Sequence, residues 1–250
     1  MAKDNRKIII IPARLGASRL PGKPLAEIGG KPMIQLVWER AVAADLAPVY
    51  VATDDRSIAD VIITAGGAAI MTRPDHPSGS DRVFEAVETI DPAGKIDQVL
   101  NLQGDLPELA PELVHQLAKT LDQSDAELAT LVTAASDEEA ARPQVVKAVV
   151  AWQSADYGKA LYFSRAAVPV GNTPLWHHIG LYGWQRQALA RFVSLPPSPL
   201  ETAEKLEQLR ALEAGMEIAV GRVDQAAGGV DTAADLEAVR HRLDKAIVKD

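Results

Sequence analysis

The stretch "IIIIPARLGASRLPGKPL" at residues 8–25 runs four isoleucines into a loop that carries three cations, Arg14, Arg19 and Lys23, among two glycines and three prolines. A short β-branched run ended by proline reads as a buried strand. The loop leaving its carboxyl end has glycines that let backbone N–H groups approach a phosphate and cations that neutralise one. It is not a Walker A loop, because five residues separate Gly16 from Gly22 and Pro24 stands where the magnesium-binding hydroxyl belongs. Nor does it contain G-x-G-x-x-G, which disfavours a dehydrogenase. A solvated connection explains any one of these cations; three within ten residues at a strand end favour a triphosphate.

Working outward, "PVYVAT" (48–53), "AAIMT" (68–72) and "QVLNLQ" (98–103) repeat the buried-strand pattern. Between them, "PMIQLVWERAVAA" (32–44) places Met33, Ile34, Val37, Trp38, Ala41 and Val42 at helical spacing behind Pro32. "RSIADVIITAGG" (56–67) predicts a helix stopped at Gly66 and Gly67, and "SGSDRVFEAVETI" (78–90) predicts one begun at a serine cap. The β-α-β-α succession predicts an α/β fold: a doubly wound, mostly parallel, Rossmann-like sheet with ligands at the carboxyl ends of its strands. After about residue 135 the pattern turns to strands or a hairpin, "VVKAVVAW" and "KALYFSRAAVPV", then "HHIGLYGW". Helical segments "WQRQALARFV", "LETAEKLEQLRALEAG" and "DTAADLEAVRHRLDKAI" follow, with a strand "EIAVGRV" before the last. Seven of the eleven aromatic residues fall within 152–184, which reads as an interface, a sugar-binding wall or a small secondary core.

At 250 residues, 47% hydrophobic and 24% charged, the chain can bury a full core as one domain over 1–250. A formal charge of -8 argues against a protein that coats nucleic acid. No segment approaches the ~20 apolar residues of a membrane span, so membrane insertion is not expected. The absence of cysteine removes disulfides and thiolate chemistry and suits the cytoplasm.

Two aspartates are candidate metal ligands. Asp105, in "NLQGDLP" (101–107), follows a buried strand and a glycine, where a carboxylate can reach a hard cation. Asp231, in "GGVDTAADLE" (228–237), is its candidate partner, although Asp231 or Thr232 could equally cap the final helix.

These motifs together, with "VATDD", "MTRPDHPSGSDR", "ALYFSRAAVP", "HIGLYGW" and "AEKLEQLRALEAG", resemble the cytidylyltransferases that make CMP-Kdo, the activated form of 3-deoxy-manno-octulosonate used in lipopolysaccharide. The likeness runs nearly end to end. It implies that Arg14, Arg19 and Lys23 bind the triphosphate, that Arg73 and Ser78 recognise the cytosine end, and that Asp105 and Asp231 hold Mg2+. It further implies that Gln103, Arg165, His178, Tyr182 and Glu207 line the sugar-acid pocket. In the implied reaction the anomeric hydroxyl attacks the α-phosphorus of CTP in line and pyrophosphate leaves. The family typically forms homodimers, and residues 150–184 are the expected sugar-site and dimerisation segment. Two departures leave the acceptor open: family members commonly have an acidic residue where Leu106 follows "QGD", and the stretch from Val168 to His177 is short. A modified octulosonate such as the 8-amino form, a sialic acid, or a CTP-binding regulator without turnover stand as alternatives.

Overall fold

The computed structural model describes residues 5–16, 20–226 and 228–247. They fall into two compact units, one of the described residues within 6–114 together with 228–247 and the other of residue 5 with 115–226.

The first unit is built on β1 (Lys7–Ala13), whose four isoleucines are buried. A two-residue hairpin, β2 (Glu27–Ile28) and β3 (Lys31–Pro32), precedes α1 (Met33–Ala43). Then come β4 (Val49–Thr53), α2 (Arg56–Thr64), β5 (Ala68–Met71), α3 (Gly79–Ile90) and β6 (Gln98–Asn101). The four longer strands are parallel in the order β5-β4-β1-β6. Numbered by chain position, that is 3-2-1-4, the doubly wound order, and the direction of winding reverses between β1 and β6. The loops that leave β1 and β6 therefore flank the switch point, where such sheets bind their ligands.

Local chemistry sets the element ends, at Gly66 and Ser78 as expected and at Asp55 in addition. Asp55 caps α2 by accepting from the Ser57 N–H at 2.8 Å, and Gly66 after it takes the left-handed φ of 87° that only glycine adopts without cost. Ser78 caps α3 through the Asp81 N–H. Along α1, Met33, Ile34, Val37 and Ala41 are buried, but Val42 is 44% exposed and Trp38 only half-buried. The expected apolar stripe is thus narrower by one residue, because α1 faces the sheet along one side only.

From α4 (Pro111–Asp122) the chain enters the second unit: β7 (Leu128–Ala134), the short α5 (Asp137–Ala141), β8 (Lys147–Trp152), β9 (Tyr157–Ser164), β10 (Trp176–Gln185), α6 (Arg186–Val193), α7 (Pro199–Glu204), α8 (Gln208–Glu213) and β11 (Ile218–Arg222). Its strand order is β10-β7-β11-β9-β8, with β7 and β11 parallel and the remaining neighbours antiparallel. Trp176 and His177 of β10 also pair with Ala148 and Lys147 of β8, closing the order on itself. The parallel expectation therefore describes the first unit, while the second is mixed. β7 was not anticipated. "LETAEKLEQLRALEAG" forms two helices rather than one, because Lys205 ends α7 in the left-handed region at φ 55°. α9 (Ala233–Ile247) belongs to the first unit.

Seven aromatics in 152–184 turn out to serve partly as core. Phe163 stacks edge-on against His178, and Trp184 lies against Phe192 with ring centroids 4.9 Å apart. The Arg210 guanidinium lies over the Phe192 ring, 4.7 Å from its centroid. Lys147 is fully buried, yet its ammonium spends all three protons on the carbonyls of Arg142, Val145 and Arg165 at 2.9, 2.6 and 2.8 Å.

Candidate active site

At the switch point of the first unit lies a cleft of about 300 Å³, lined in part by Arg14, Lys23, Ser78, Gln103, Asp105 and Asp231. Lys23 gets there because Gly22, at φ 70° and ψ 12°, reverses the chain into the 3-10 turn of residues 23–25. Its ammonium donates to Asp105 Oδ2 at 2.6 Å and to the Val230 carbonyl at 2.8 Å, and approaches Asp231 Oδ1 at 3.4 Å. Val230 in turn donates its N–H to the Asp105 carbonyl at 2.9 Å, which ties the two aspartate loops together.

Asp231 was a candidate for either a helix cap or a metal ligand. Thr232 takes the capping role: its hydroxyl accepts from the Asp235 N–H, and Asp235 Oδ2 accepts from the N–H groups of Asp231 and Thr232. The Asp231 carboxylate is thereby turned to the cleft. Two carboxylates and a carbonyl around one ammonium form a set of hard oxygen donors already arranged about a positive charge, which fits a divalent cation that completes its shell with water and phosphate. Among the described residues no group of three or more His, Cys, Asp or Glu gathers into a metal site.

Gly104 allows the β6 loop to approach β1, since a Cβ there would stand 2.8 Å from the Pro12 carbonyl oxygen. Leu106, the departure from the expected acid, is 8% exposed and lies toward Gly229 rather than on the cleft lining. An apolar residue at that position is accounted for by local packing.

Arg19 lies outside the described residues. Arg73 is placed away from the cleft lining, 67% exposed, with its guanidinium near Asp75 and Glu85. Ser78 lines the cleft while its hydroxyl contacts Asp81 at 2.6 Å. The sequence reading missed Arg82 and His76. Arg82 is buried on the cleft wall, with Nη1 2.5 Å from the Thr72 hydroxyl and 3.4 Å from Asp54. Its signal was a single arginine on the first turn of an amphipathic helix, four residues after the serine cap. His76 contacts Glu85.

The remaining residues expected to line a sugar site, Arg165, His178, Tyr182 and Glu207, sit in the second unit. Arg165, just past β9, donates from Nε to the Glu204 carbonyl at 2.8 Å, from Nη1 to Pro143 at 3.2 Å and from Nη2 to Lys205 at 3.3 Å. Three of its five N–H donors are thus spent on backbone, two of them at the end of α7, a favourable place for a cation, and one on the loop after α5. Glu204 also accepts from the Ser164 hydroxyl and the Arg165 N–H. His178 and Tyr182 lie on β10 with rings 5.7 Å apart. Burial pushes the His178 imidazole down to about 3, helped by neighbouring His177, so it is neutral at pH 7. Burial, with the Glu207 carboxylate adding, pushes the Tyr182 phenol upward, which places Glu207 within electrostatic reach of the ring pair.

A 3-2-1-4 parallel sheet whose switch point gathers cations and a pair of carboxylates defines a nucleotidyltransferase-type α/β protein. The chain belongs to the cytidylyltransferase family, whose model matches residues 8–218. It is 54% identical over 237 residues to the 3-deoxy-manno-octulosonate cytidylyltransferase of Rhodopseudomonas palustris, covering 94% of this chain and 97% of that one. The enzyme of the same name from Parvibaculum lavamentivorans is also 54% identical, over 94% of this chain and 92% of its own. A solved structure of CMP:2-keto-3-deoxy-manno-octonic acid synthetase complexed with CTP superposes with a TM-score of 0.89 at 43% identity, over 96% of this chain and 99% of that one. The 4-diphosphocytidyl-2C-methyl-D-erythritol synthase of Anaerococcus prevotii, at 12% identity and a TM-score of 0.66, shares the fold. No helix among the described residues is long and apolar enough to cross a membrane.

Proposed function

We propose that this chain transfers CMP from CTP to the anomeric hydroxyl of 3-deoxy-manno-octulosonate, releasing pyrophosphate. The observation that carries the reading is the Lys23, Asp105 and Asp231 cluster at the switch point, in a chain 54% identical over nearly its whole length to enzymes of that name. Arg14 and Lys23 hold the triphosphate and stabilise the charge that develops on the leaving pyrophosphate. Asp105 and Asp231 would bind Mg2+, which when present supplies neutralisation of the α-phosphate and a lowered pKa for the attacking hydroxyl. For the cytosine end, the cleft position favours Ser78 and the start of α3 over Arg73. Gln103, Arg165, His178, Tyr182 and Glu207 orient the sugar acid. No covalent intermediate on the protein is required, so alignment of the hydroxyl with the α-phosphorus is the main task of the site.

A cytoplasmic homodimer is part of this reading. It is supported by the exposed Leu161 and Val170 in the 150–184 segment and by the cysteine-free composition. Sedimentation at micromolar concentration checks the stoichiometry.

The deciding experiment is pyrophosphate release from CTP and Mg2+ with Kdo, 8-amino-Kdo and sialic acid compared in parallel. Release with Kdo is expected. Preference for another acceptor would overturn the substrate, and CTP binding without release would overturn the enzyme.

A further inference from the structure

β10 carries an irregularity whose filling has a chemical consequence. Ile179 pairs with Leu131 and Gly183 with Ala129, so Gly180, Leu181 and Tyr182 together face the single residue Thr130 of β7. Such a bulge takes backbone groups out of the ladder, and a buried carbonyl without a donor is costly. Thr130 is fully buried, and its hydroxyl lies 3.1 Å from the Ile179 carbonyl and 2.8 Å from the Leu181 carbonyl. The same oxygen lies 2.9 Å from His178 Nε2.

A hydroxyl has one proton and two lone pairs. Two oxygens at 2.8 Å repel unless a proton lies between them, so the Thr130 proton points to the bulge carbonyls. That leaves only lone pairs toward the imidazole, and Nε2 must therefore carry the hydrogen. Nδ1 of the neutral ring is then an acceptor, and no described group donates to it.

We propose that Thr130 is a positioning residue that locks His178 in its Nε2–H tautomer, keeping Nδ1 as a hydrogen-bond acceptor for a hydroxyl of the sugar acid. The second half of this inference rests on the reading of His178 as a sugar contact. The first half does not. A tautomer fixed by the fold spares the substrate from selecting one on arrival, as carbonyl and carboxylate partners do for metal-ligating histidines.

The test uses the full chain labelled with 15N-histidine, with His178 assigned by the resonance lost in His178→Gln. At pH 7 the long-range proton-nitrogen correlation should show a pyrrole-type Nε2 and a pyridine-type Nδ1; a protonated Nδ1 in the unmodified chain overturns the proposal without any variant. Thr130→Val should mix the tautomers and raise KM for the sugar acid about tenfold, which corresponds to ~1.4 kcal/mol, while KM for CTP stays put. Thr130→Ser should restore both. Mixed tautomers with an unchanged sugar KM would remove His178 from the sugar site and leave the lock supported. An unchanged tautomer and an unchanged KM in Thr130→Val would overturn the lock itself.

Discussion

Lys23 and Asp105 form an ion pair 2.6 Å long between the loops that leave β1 and β6, the two strands bounding the switch point. The lysine that the sequence assigned to phosphate and the aspartate it assigned to metal are thus partners of each other. On the proposed reading, substrate and cation must share these groups or separate them, so the pair would link nucleotide binding to metal binding.

The first prediction concerns that competition. In Lys23→Ala the two carboxylates lose their ammonium, so the chain without CTP should bind Mg2+ on the order of tenfold more tightly. Turnover should nonetheless fall on the order of 100-fold, because the leaving phosphates lose a cation. Titration calorimetry and pyrophosphate release measure the two effects separately. Weaker Mg2+ binding in the variant would remove Asp105 and Asp231 as the metal pair.

A second prediction tests how closely the β6 loop must approach β1. Gly104→Ala would put a methyl 2.8 Å from the Pro12 carbonyl oxygen and 3.3 Å from Ile34 Cδ1. Backbone cannot swing aside as a side chain can, so the loop moves and carries Asp105 with it. Stability should fall by about 1–3 kcal/mol, and kcat on the order of 100-fold, as expected for a misplacement near 1 Å. A variant with normal kcat would show that the position of Asp105 is not critical.

The sequence made the first unit legible because its strands are short apolar runs between clear helix caps and stops. Asp55, Ser78 and Gly66 each act through local hydrogen bonding or local φ. What escaped was non-local. That Lys23 meets Asp231 depends on a fold that brings together positions 208 apart in the chain, which no local pattern encodes. Arg82 was hidden among the other charged residues of α3, and whether Arg73 stands exposed beside Asp75 and Glu85 or aims elsewhere is a matter of tertiary placement that its sequence neighbours do not encode. The second unit was read less well because its strands depend on pairing across a mixed sheet rather than on a repeated βα unit.

The third prediction is about stability away from the cleft. Arg210 donates from Nε and Nη2 to the two oxygens of Glu201 at 2.8 and 2.6 Å, and both side chains are nearly buried. Glu201 also closes the capping box of α7 with Ser198. Arg210→Met would strand the carboxylate and should cost about 3 kcal/mol in urea unfolding. Adding Glu201→Gln in the same chain should recover part of that loss. A double variant no more stable than the single one would mean that the cost lies in the lost packing of Arg210 on Phe192 rather than in the stranded charge.

The last prediction follows from His178. Its folded pKa of about 3 lies well below the usual 6.5, with burial as the main cause. Between these values the unfolded chain binds a proton that the folded chain does not, so folding stability falls as the pH is lowered through 6.5 and stops falling on this account near 3. The slope from this residue alone approaches ~1.4 kcal/mol per pH unit in the middle of the window. His177, also lowered by burial against the opposing pull of Glu139, acts in the same direction. Paired acids such as Glu201, whose pKa is lowered by Arg210 and the Ser198 N–H against a desolvation effect that raises it, also lose stability in acid, but largely below the point where His178 begins to titrate in the unfolded chain. Replacing His178 with Gln, which cannot take up the proton, should therefore flatten the unfolding free energy between pH 7 and 5 while leaving the steeper loss at lower pH. An unchanged pH profile in His178→Gln would mean that the imidazole accepts its proton inside the fold, with the Thr130 and Tyr182 surroundings rearranging to hold a cation.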